Sequence, residues 1–225
     1  MAKLTQRIGK PFFFLSLCYF VLGFILLLSI NKGDVVLFLN HLHNPCSDLF
    51  FKYFTHLGSG QLAGILFLVF LFFAPLRKTF VVGTSFALMG IFTQFFKKII
   101  FPQAGRPHDL FWMEMDKMNL VEGVTVRTDF SFPSGHTAAG YIIALVLVWS
   151  LQKKTLWTFI FFAIATTVGI SRIYLFQHFF IDTYFGTLLS FLIGYSVIWY
   201  FERANWVQQD WAGQRLIQLL KNKKT

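Results

Sequence analysis

Six long apolar stretches, separated by short polar connectors, constrain the fold of this 225-residue chain more than any other feature. Only 13% of its residues are charged, whereas a soluble domain carries about a quarter. A helix needs roughly 17–25 apolar residues to cross the hydrocarbon core of a bilayer. We therefore predict an all-α integral membrane bundle of six transmembrane helices, forming one membrane domain over residues 1–225. The predicted spans are about 12–30, 58–75, 79–96, 135–151, 156–176 and 179–201.

Lysine and arginine residues are concentrated in alternate connectors, which sets the predicted orientation. The N-terminal segment, the connectors 76–78 and 152–154, and the tail 202–225 are basic and fall on one side. Cytoplasmic loops carry an excess of Lys and Arg, so we place both termini in the cytoplasm of a cell (inner) membrane. The formal net charge of +10 is then a topology signal, and we predict no nucleic-acid partner.

The two ends of the chain leave alternatives. The apolar run 12–30 resembles a signal peptide, but it is long and no small-residue cleavage site follows it, so we expect an uncleaved first span. The tail 202–225 is either an amphipathic helix lying on the inner leaflet or a partly disordered basic end.

Polar residues recur at the outer ends of the predicted spans. At 1.5 Å of rise per residue, Lys98 lies about 30 Å from the inner connector at Lys78, and His136, Arg172 and Asp182 reach a similar depth. Charged groups there are costly unless they are paired or face a wet cavity, so we expect a functional site. Single polar residues at span ends are usually anchors or bystanders. We place four in that class: Lys97, His41, His43 and His56.

Two short motifs at this depth carry chemistry. Pro133-Ser134-Gly135-His136 opens the fourth span, where the free N–H groups of a helix N-terminus bind anions. In the second motif, five residues separate Ser171-Arg172 from His178, and three residues separate His178 from Asp182. If residues 178–182 are helical, Asp182 accepts one imidazole N–H and leaves the other nitrogen of His178 free as a nucleophile. Arg172 offers a planar fork that matches phosphate oxygens.

Together with Lys98 and Arg106-Pro107, these motifs resemble the type 2 phosphatidic acid phosphatases, the lipid phosphate phosphatases. The second and third motifs match residue for residue, whereas seven residues separate Lys98 from Arg106 where the family has six. The resemblance covers most of the chain, and the short single-domain form looks bacterial. It implies a phosphatase without a metal or other cofactor, whose active site is at the outer (periplasmic or extracellular) face.

The resemblance also implies a role for each matched residue. His178 is the nucleophile that forms a phosphohistidine, and Asp182 orients it. His136 protonates the leaving oxygen and then activates water. The residues that hold the phosphate oxygens are Lys98, Arg106, Ser134, Gly135 and Arg172. We read His108 as a loop histidine rather than a substrate contact.

The expected partners are the lipid bilayer and a membrane lipid phosphate, with no obligate protein partner. A polyprenyl diphosphate, such as undecaprenyl diphosphate, and a glycerolipid phosphate are the leading substrates; phosphorylated lipid A is also open. The outer loop 107–132 is either a flap at the headgroup level or a simple connector.

Three other functions are alternatives to lipid phosphate hydrolysis. A phosphotransferase would use the same site, a lipid-headgroup transporter would leave His136 and the pairing of His178 with Asp182 unexplained, and six spans argue against a soluble haloperoxidase-like role.

Overall fold

The computed structural model describes residues 10–151 and 155–222, and the repetitive structure in these residues is helical. The α-helices are α1 (Lys10–Ser29), α2 (Asp34–Asn40), α3 (Pro45–Phe54), α4 (Gly60–Phe73), α5 (Leu76–Phe95), α6 (Pro107–Leu110), α7 (Gly135–Leu151), α8 (Thr155–Tyr174), α9 (Phe180–Arg203), α10 (Asp210–Gly213) and α11 (Leu216–Asn222). The predicted all-helical fold is confirmed. The basic segment 1–9, the connector residues 152–154 and the last residues, 223–225, lie outside the described residues.

Four helices are long and apolar enough to cross a membrane within the described chain: α1, α5 with its continuation to Ile100, α8 and α9. A fifth candidate is the pair formed by Pro45–Gly58 and α4, which is bent by 47°. Helix α7 is apolar but has only 17 residues. The protein is therefore a membrane protein with several candidate spans, and six crossings stay a prediction.

The second predicted span, 58–75, corresponds to helix α4, which is two residues shorter at each end. Helix α4 has 14 residues and rises about 21 Å, which is less than the roughly 30 Å hydrocarbon core. It starts at Gly60 because the Ser59 side chain accepts the Leu62 N–H at 3.2 Å, which caps the helix and breaks it from the preceding turn. This break lets the 3-10 turn Thr55–Gly58 lie against the end of the bundle that carries His136 and Asp182. We name this end the outer end after the predicted orientation, and the opposite end the inner end.

Helix α7 is the centre of the bundle. Twelve of its 17 residues are buried, on all sides of the helix, against α8, α9 and α5. Two glycines allow close backbone approach at its outer end. A Cβ on Gly58 would lie 2.3 Å from the His136 carbonyl oxygen, and one on Gly186 would lie 2.7 Å from the Ser134 carbonyl oxygen. The short first turn of α7 is therefore enclosed by the 55–58 turn and by α9.

The outer loop 107–132 is packed onto the end of the bundle. Phe111, Met115, Met118 and Val126 contact a buried cluster of Val36, Ile173, Phe176 and Phe179. Asn40 and Asn119 clasp the loop to α2 through three hydrogen bonds of 2.8–3.2 Å. Trp112 and Met113 remain 64% and 74% exposed, so the loop presents an apolar tip while its body covers the bundle end.

The described part of the tail folds back on the inner end of the bundle. The Leu76 N–H donates to the Gln214 carbonyl at 3.0 Å, and Trp206 stacks on Trp211 with ring centroids 6.2 Å apart. Val207 and Ala212 are fully buried. Residues 205–222 are therefore a folded cap of short helices rather than the disordered end that was one alternative, or a single long amphipathic helix.

Candidate active site

His178 and Asp182 form a buried pair at the outer end of the bundle. His178 Nδ1 lies 3.4 Å from Asp182 Oδ2, and both side chains are 3% exposed. His178 is not helical, because it lies in the turn between α8 and α9, whereas Asp182 belongs to the first turn of α9. Asp182 Oδ2 accepts the Phe179 N–H at 2.9 Å, which caps α9 and fixes the carboxylate beside the imidazole. The pairing predicted from a helical spacing of four is thus built as a helix cap.

Ser131 is a third member of this pair, and the sequence analysis missed it. Its hydroxyl donates to Asp182 Oδ2 at 2.5 Å and lies 3.4 Å from His178 Nδ1. Ser131 is fully buried, and its N–H donates to the Ala104 carbonyl at 2.9 Å. Asp182 Oδ2 therefore faces three donors: the His178 imidazole, the Phe179 N–H and the Ser131 hydroxyl.

The pairing with Asp182 fixes which nitrogen of His178 is free. Because Nδ1 faces the carboxylate, the proton is assigned to Nδ1, and Nε2 is left with a lone pair on the side of Arg106. Burial lowers the pKa of His178 well below its ordinary value, and the nearby charges of Arg106 and Arg172 lower that pKa further. A neutral imidazole at neutral pH is the form that acts as a nucleophile.

Arg172 is buried in the last turn of α8 with an unused donor. Its Nη1 donates to the Thr55 hydroxyl at 2.7 Å, whereas its Nε is buried without a hydrogen-bond partner. The Arg172 carbonyl accepts the backbone N–H groups of Gln177 and His178 at 2.9 and 3.2 Å. The turn that carries His178 is thus wrapped around Arg172. An unpaired buried guanidinium N–H is costly, which is expected where an anion binds.

The structure places Lys97, not Lys98, in the cluster, which corrects the lysine of the predicted site. Lys97 is 9% exposed, and its Nζ donates to the Phe130 and Ser131 carbonyls at 2.5 and 3.3 Å, whereas Lys98 is exposed. Consecutive residues of a helix point in different directions, so only one of the two can face the bundle. The π-helical turn Phe96–Ile100, which adds a residue to the helical turn, decides which one it is.

The Arg106 side chain donates hydrogen bonds to backbone carbonyl groups near His178. Its Nε donates to the Asp129 carbonyl at 2.6 Å, and Nη1 donates to the Gln177 carbonyl and lies 3.4 Å from His178 Nε2. Its backbone N–H donates to Asp109 Oδ2 at 2.9 Å. Arg106 is 4% exposed, so the structure brings this predicted cation into direct contact with the His178 ring.

The Pro-Ser-Gly-His motif forms the first turn of α7 beside the pair. The Ser134 N–H donates to the Asp182 carbonyl at 2.9 Å, and the Ser134 hydroxyl accepts from the Thr137 hydroxyl at 2.9 Å. Ser134 thus contacts the helix start in this structure, and Gly135 begins the helix. His136 is half-buried and lies against Gly58, so it is more accessible than His178.

The remaining histidines occupy different positions. His43 stacks on Tyr174 with ring centroids 4.0 Å apart, and its Nδ1 lies 3.0 Å from Asp48. His108 is half-buried beside Asp109. His56 is exposed in the 55–58 turn, next to the residue that holds Arg172. In the described part of the chain, no group of three or more His, Cys, Asp or Glu side chains is arranged to hold a metal ion.

Comparisons with known proteins agree with this arrangement. The PAP2 superfamily model matches residues 78–206, which carry all three motifs, so the chain belongs to the PAP2 superfamily. Aquifex aeolicus LpxE is similar in structure, with a TM-score of 0.63 and 29% identity over 75% of this chain and 95% of that one. The transmembrane PAP2-type phosphatidylglycerolphosphate phosphatase from Bacillus subtilis has a TM-score of 0.58 and 22% identity over 84% and 97%. No curated protein matches at a significant level. Family, neighbours and membrane fold together identify a membrane phosphatase.

Proposed function

We propose that the protein hydrolyses a lipid-linked phosphate monoester or diphosphate through a phosphohistidine on His178. The observation that carries the proposal is the buried pair of His178 and Asp182, surrounded by Lys97, Arg106 and Arg172. A buried imidazole whose second nitrogen faces cations is arranged to attack an anionic electrophile. A lipid-headgroup transporter has no use for this pairing.

In the first step, the lone pair of His178 Nε2 attacks phosphorus and the bond from phosphorus to the lipid oxygen breaks. His136 donates a proton to that leaving oxygen, so the lipid departs as an alcohol, or as a monophosphate if the substrate is a diphosphate. The Nδ1 proton stays on the ring and is hydrogen-bonded to the carboxylate of Asp182, whose negative charge offsets the positive charge that the ring gains.

In the second step, water attacks the phosphohistidine. His136, now neutral, takes a proton from the water as its oxygen bonds to phosphorus, and the bond between phosphorus and Nε2 breaks. Inorganic phosphate leaves and both histidines return to their starting states. The half-buried position of His136 supports this role, because the acid and base must reach solvent.

The cations bind the phosphoryl oxygens in both steps. The free Nε–H of buried Arg172 is a donor without a partner in the described chain, and the N–H groups at the start of α7, with the Ser134 hydroxyl, provide further donors. Lys97 and Arg106 add positive charge from the other side of His178. No cofactor takes part in these steps.

An apolar groove beside Asp182 supports a lipid substrate. A cavity of about 530 Å³ reaches Asp182 and Gly105 and is otherwise lined mainly by apolar side chains such as Leu27, Phe101 and Phe180. A second cavity of about 350 Å³ shares Phe101, Phe132 and Phe185 with it and continues along α9 past Leu188 and Leu192. A charged site at the end of an apolar groove fits an amphiphile whose phosphate is its polar end.

We also propose that the protein spans the cell membrane six times, with both termini inside and the active site at the outer face. Counting α3 with α4 as one bent crossing and α7 as a short central one gives six. The basic residues Arg77, Lys78 and Arg203 lie at the opposite end of the bundle from His178 and support this orientation.

Phosphate release from a panel of lipid phosphates by the purified protein in detergent tests the proposal. Wild-type protein should release phosphate from at least one lipid, whereas His178→Ala should lose activity by about a thousandfold or more, because the nucleophile is absent. His108→Ala is the matched control, since it removes a histidine of the loop 107–132 that contacts Asp109 rather than the pair of His178 and Asp182.

Two results would contradict this function. Release by His178→Ala at the wild-type rate would exclude the nucleophile. Transfer of label to an added lipid or sugar alcohol in preference to water would make the protein a phosphotransferase with the same site.

A further inference from the structure

The loop segment 125–130 is fastened over the nucleophile at both ends. At one end, Gln177 Nε2 donates to the Thr125 carbonyl at 3.0 Å, and Gln177 immediately precedes His178. The Val126 side chain packs into the cluster of Phe176 and Phe179, which lie on either side of this turn. The segment therefore begins directly above the turn that carries the nucleophile.

The other end of the segment is held by the cations of the site. Arg106 Nε donates to the Asp129 carbonyl at 2.6 Å, and Lys97 Nζ donates to the Phe130 carbonyl at 2.5 Å. Arg127 thus lies between two points that both contact residues of the active site. Arg127 is two positions from each of the hydrogen-bonded carbonyl groups of Thr125 and Asp129.

The Arg127 side chain is unpaired in this position. It is exposed and makes no hydrogen bond or ion pair within the described chain. The carboxylates of Asp109 and Asp129 both act on Arg106, and Asp109 is already bonded to the Arg106 N–H. The charge of Arg127 reaches the site, because it contributes, after burial, to lowering the pKa of Arg106 and, less strongly, that of His178.

The buried cations and Arg127 differ in depth, which separates their roles. Lys97, Arg106 and Arg172 are all less than 10% exposed and surround His178, so they suit the phosphate that is attacked. Arg127 is exposed, so its side chain is accessible to an anionic group that lies outside that pocket. A guanidinium binds a phosphate through two parallel N–H groups, and an exposed loop arginine retains both.

We propose that Arg127 binds a second phosphate of the substrate, adjacent to the one attacked by His178, and so favours a lipid diphosphate over a lipid monophosphate. This inference rests on the proposed function, because it assigns the second phosphate relative to the reacting one.

Kinetics with two lipids of identical tail, farnesyl monophosphate and farnesyl diphosphate, test the inference in detergent. Arg127→Ala should raise KM for the diphosphate by about tenfold more than KM for the monophosphate, the order expected for one lost charge-assisted contact. Arg127→Lys keeps the charge but loses the fork, so it should give an intermediate change. Lys117→Ala, which removes another exposed cation from the same loop, should leave the ratio of the two KM values at its wild-type value.

Equal changes in KM for the two lipids, or none for either, would overturn the role of Arg127. Binding of inorganic pyrophosphate and inorganic phosphate, measured by calorimetry, separates this inference from the proposed function. If wild-type protein releases no phosphate but Arg127→Ala still loses pyrophosphate affinity selectively, the proposed hydrolysis fails and the second anion site stands. If hydrolysis is present and pyrophosphate affinity is unchanged in Arg127→Ala, the anion site fails and the hydrolysis stands.

Discussion

The two ends of the bundle carry the same kinds of cation in different surroundings. At the inner end, Arg203 is exposed and lies over the Trp199 ring at 4.5 Å, and Lys78 donates to the Ser150 carbonyl at 2.9 Å. At the outer end, Arg106 and Arg172 are 4% and 7% exposed and lie around His178. An exposed cation at a helix end is an anchor that aqueous solvent and headgroups stabilise. A buried one must be stabilised by partners, and it is retained where an anion completes its surroundings.

One conservative arginine-to-lysine substitution at each end tests this difference between the buried and the exposed cations. Arg172→Lys keeps the charge but removes the Nε–H that lacks a partner, so kcat/KM should fall by about 10²–10³-fold, the usual cost of losing one transition-state donor. Arg203→Lys at the inner end should change kcat/KM by less than about twofold, because an exposed cation contributes little. Steady-state phosphate release measures both variants. Similar losses at the two ends would refute the distinction.

The adjacent lysines allow the same comparison within one helical turn. Lys97→Ala should lower kcat/KM by roughly 10–100-fold, because it removes a buried charge beside His178 and frees the Phe130 and Ser131 carbonyls. Lys98→Ala should have little effect, since Lys98 is exposed. The reverse order of the two effects would restore the lysine expected from the sequence.

Sequence reasoning brought some of these residues together and missed others for identifiable reasons. Counting helix rise places His136, Arg172 and Asp182 at one depth, because each lies near the end of an apolar run of known length. That count selected Lys98 instead of Lys97, because a π-helical turn changes the facing of a residue without changing the apolar pattern.

Residues in irregular segments were beyond the reach of a periodic pattern. Ser131 and Thr55 contact Asp182 and Arg172, yet each is a single hydroxyl residue in a turn, and nothing in its spacing distinguishes it from other turn residues. The break at Ser59 was missed for a related reason. The apolar run around α4 looks like one short span, whereas in the structure α4 follows the segment Pro45–Gly58 at a bend of 47°.

Two buried serine hydroxyl groups, those of Ser131 and Ser190, are expected to differ in their effect on kcat. Ser131→Ala removes a hydrogen bond to a carboxylate, so kcat should fall by about tenfold with a small change in KM, and Ser131→Thr should recover part of the activity. Ser190→Ala is the control, because its buried hydroxyl donates to the Ala138 carbonyl away from His178. If both serine variants lower kcat equally, Ser131 has only a structural role.

The smallest expected effect is in the pH dependence of kcat/KM. Because burial and neighbouring cations lower the pKa of His178, its neutral form persists below the ordinary histidine range near pH 6.5. Lys97→Ala removes one of these cations, so the pKa of His178 should rise and any acidic limb due to His178 should move to higher pH. A shift to lower pH would contradict the electrostatic account of the pair.

The central claim is that His178 becomes phosphorylated. Rapid acid-free quenching after mixing the protein with a ³²P-labelled lipid phosphate measures this directly. The account predicts a base-stable, acid-labile label on the peptide that contains His178, and none in His178→Ala. Phosphate release at the wild-type rate without label on His178, or label on another residue, would contradict it.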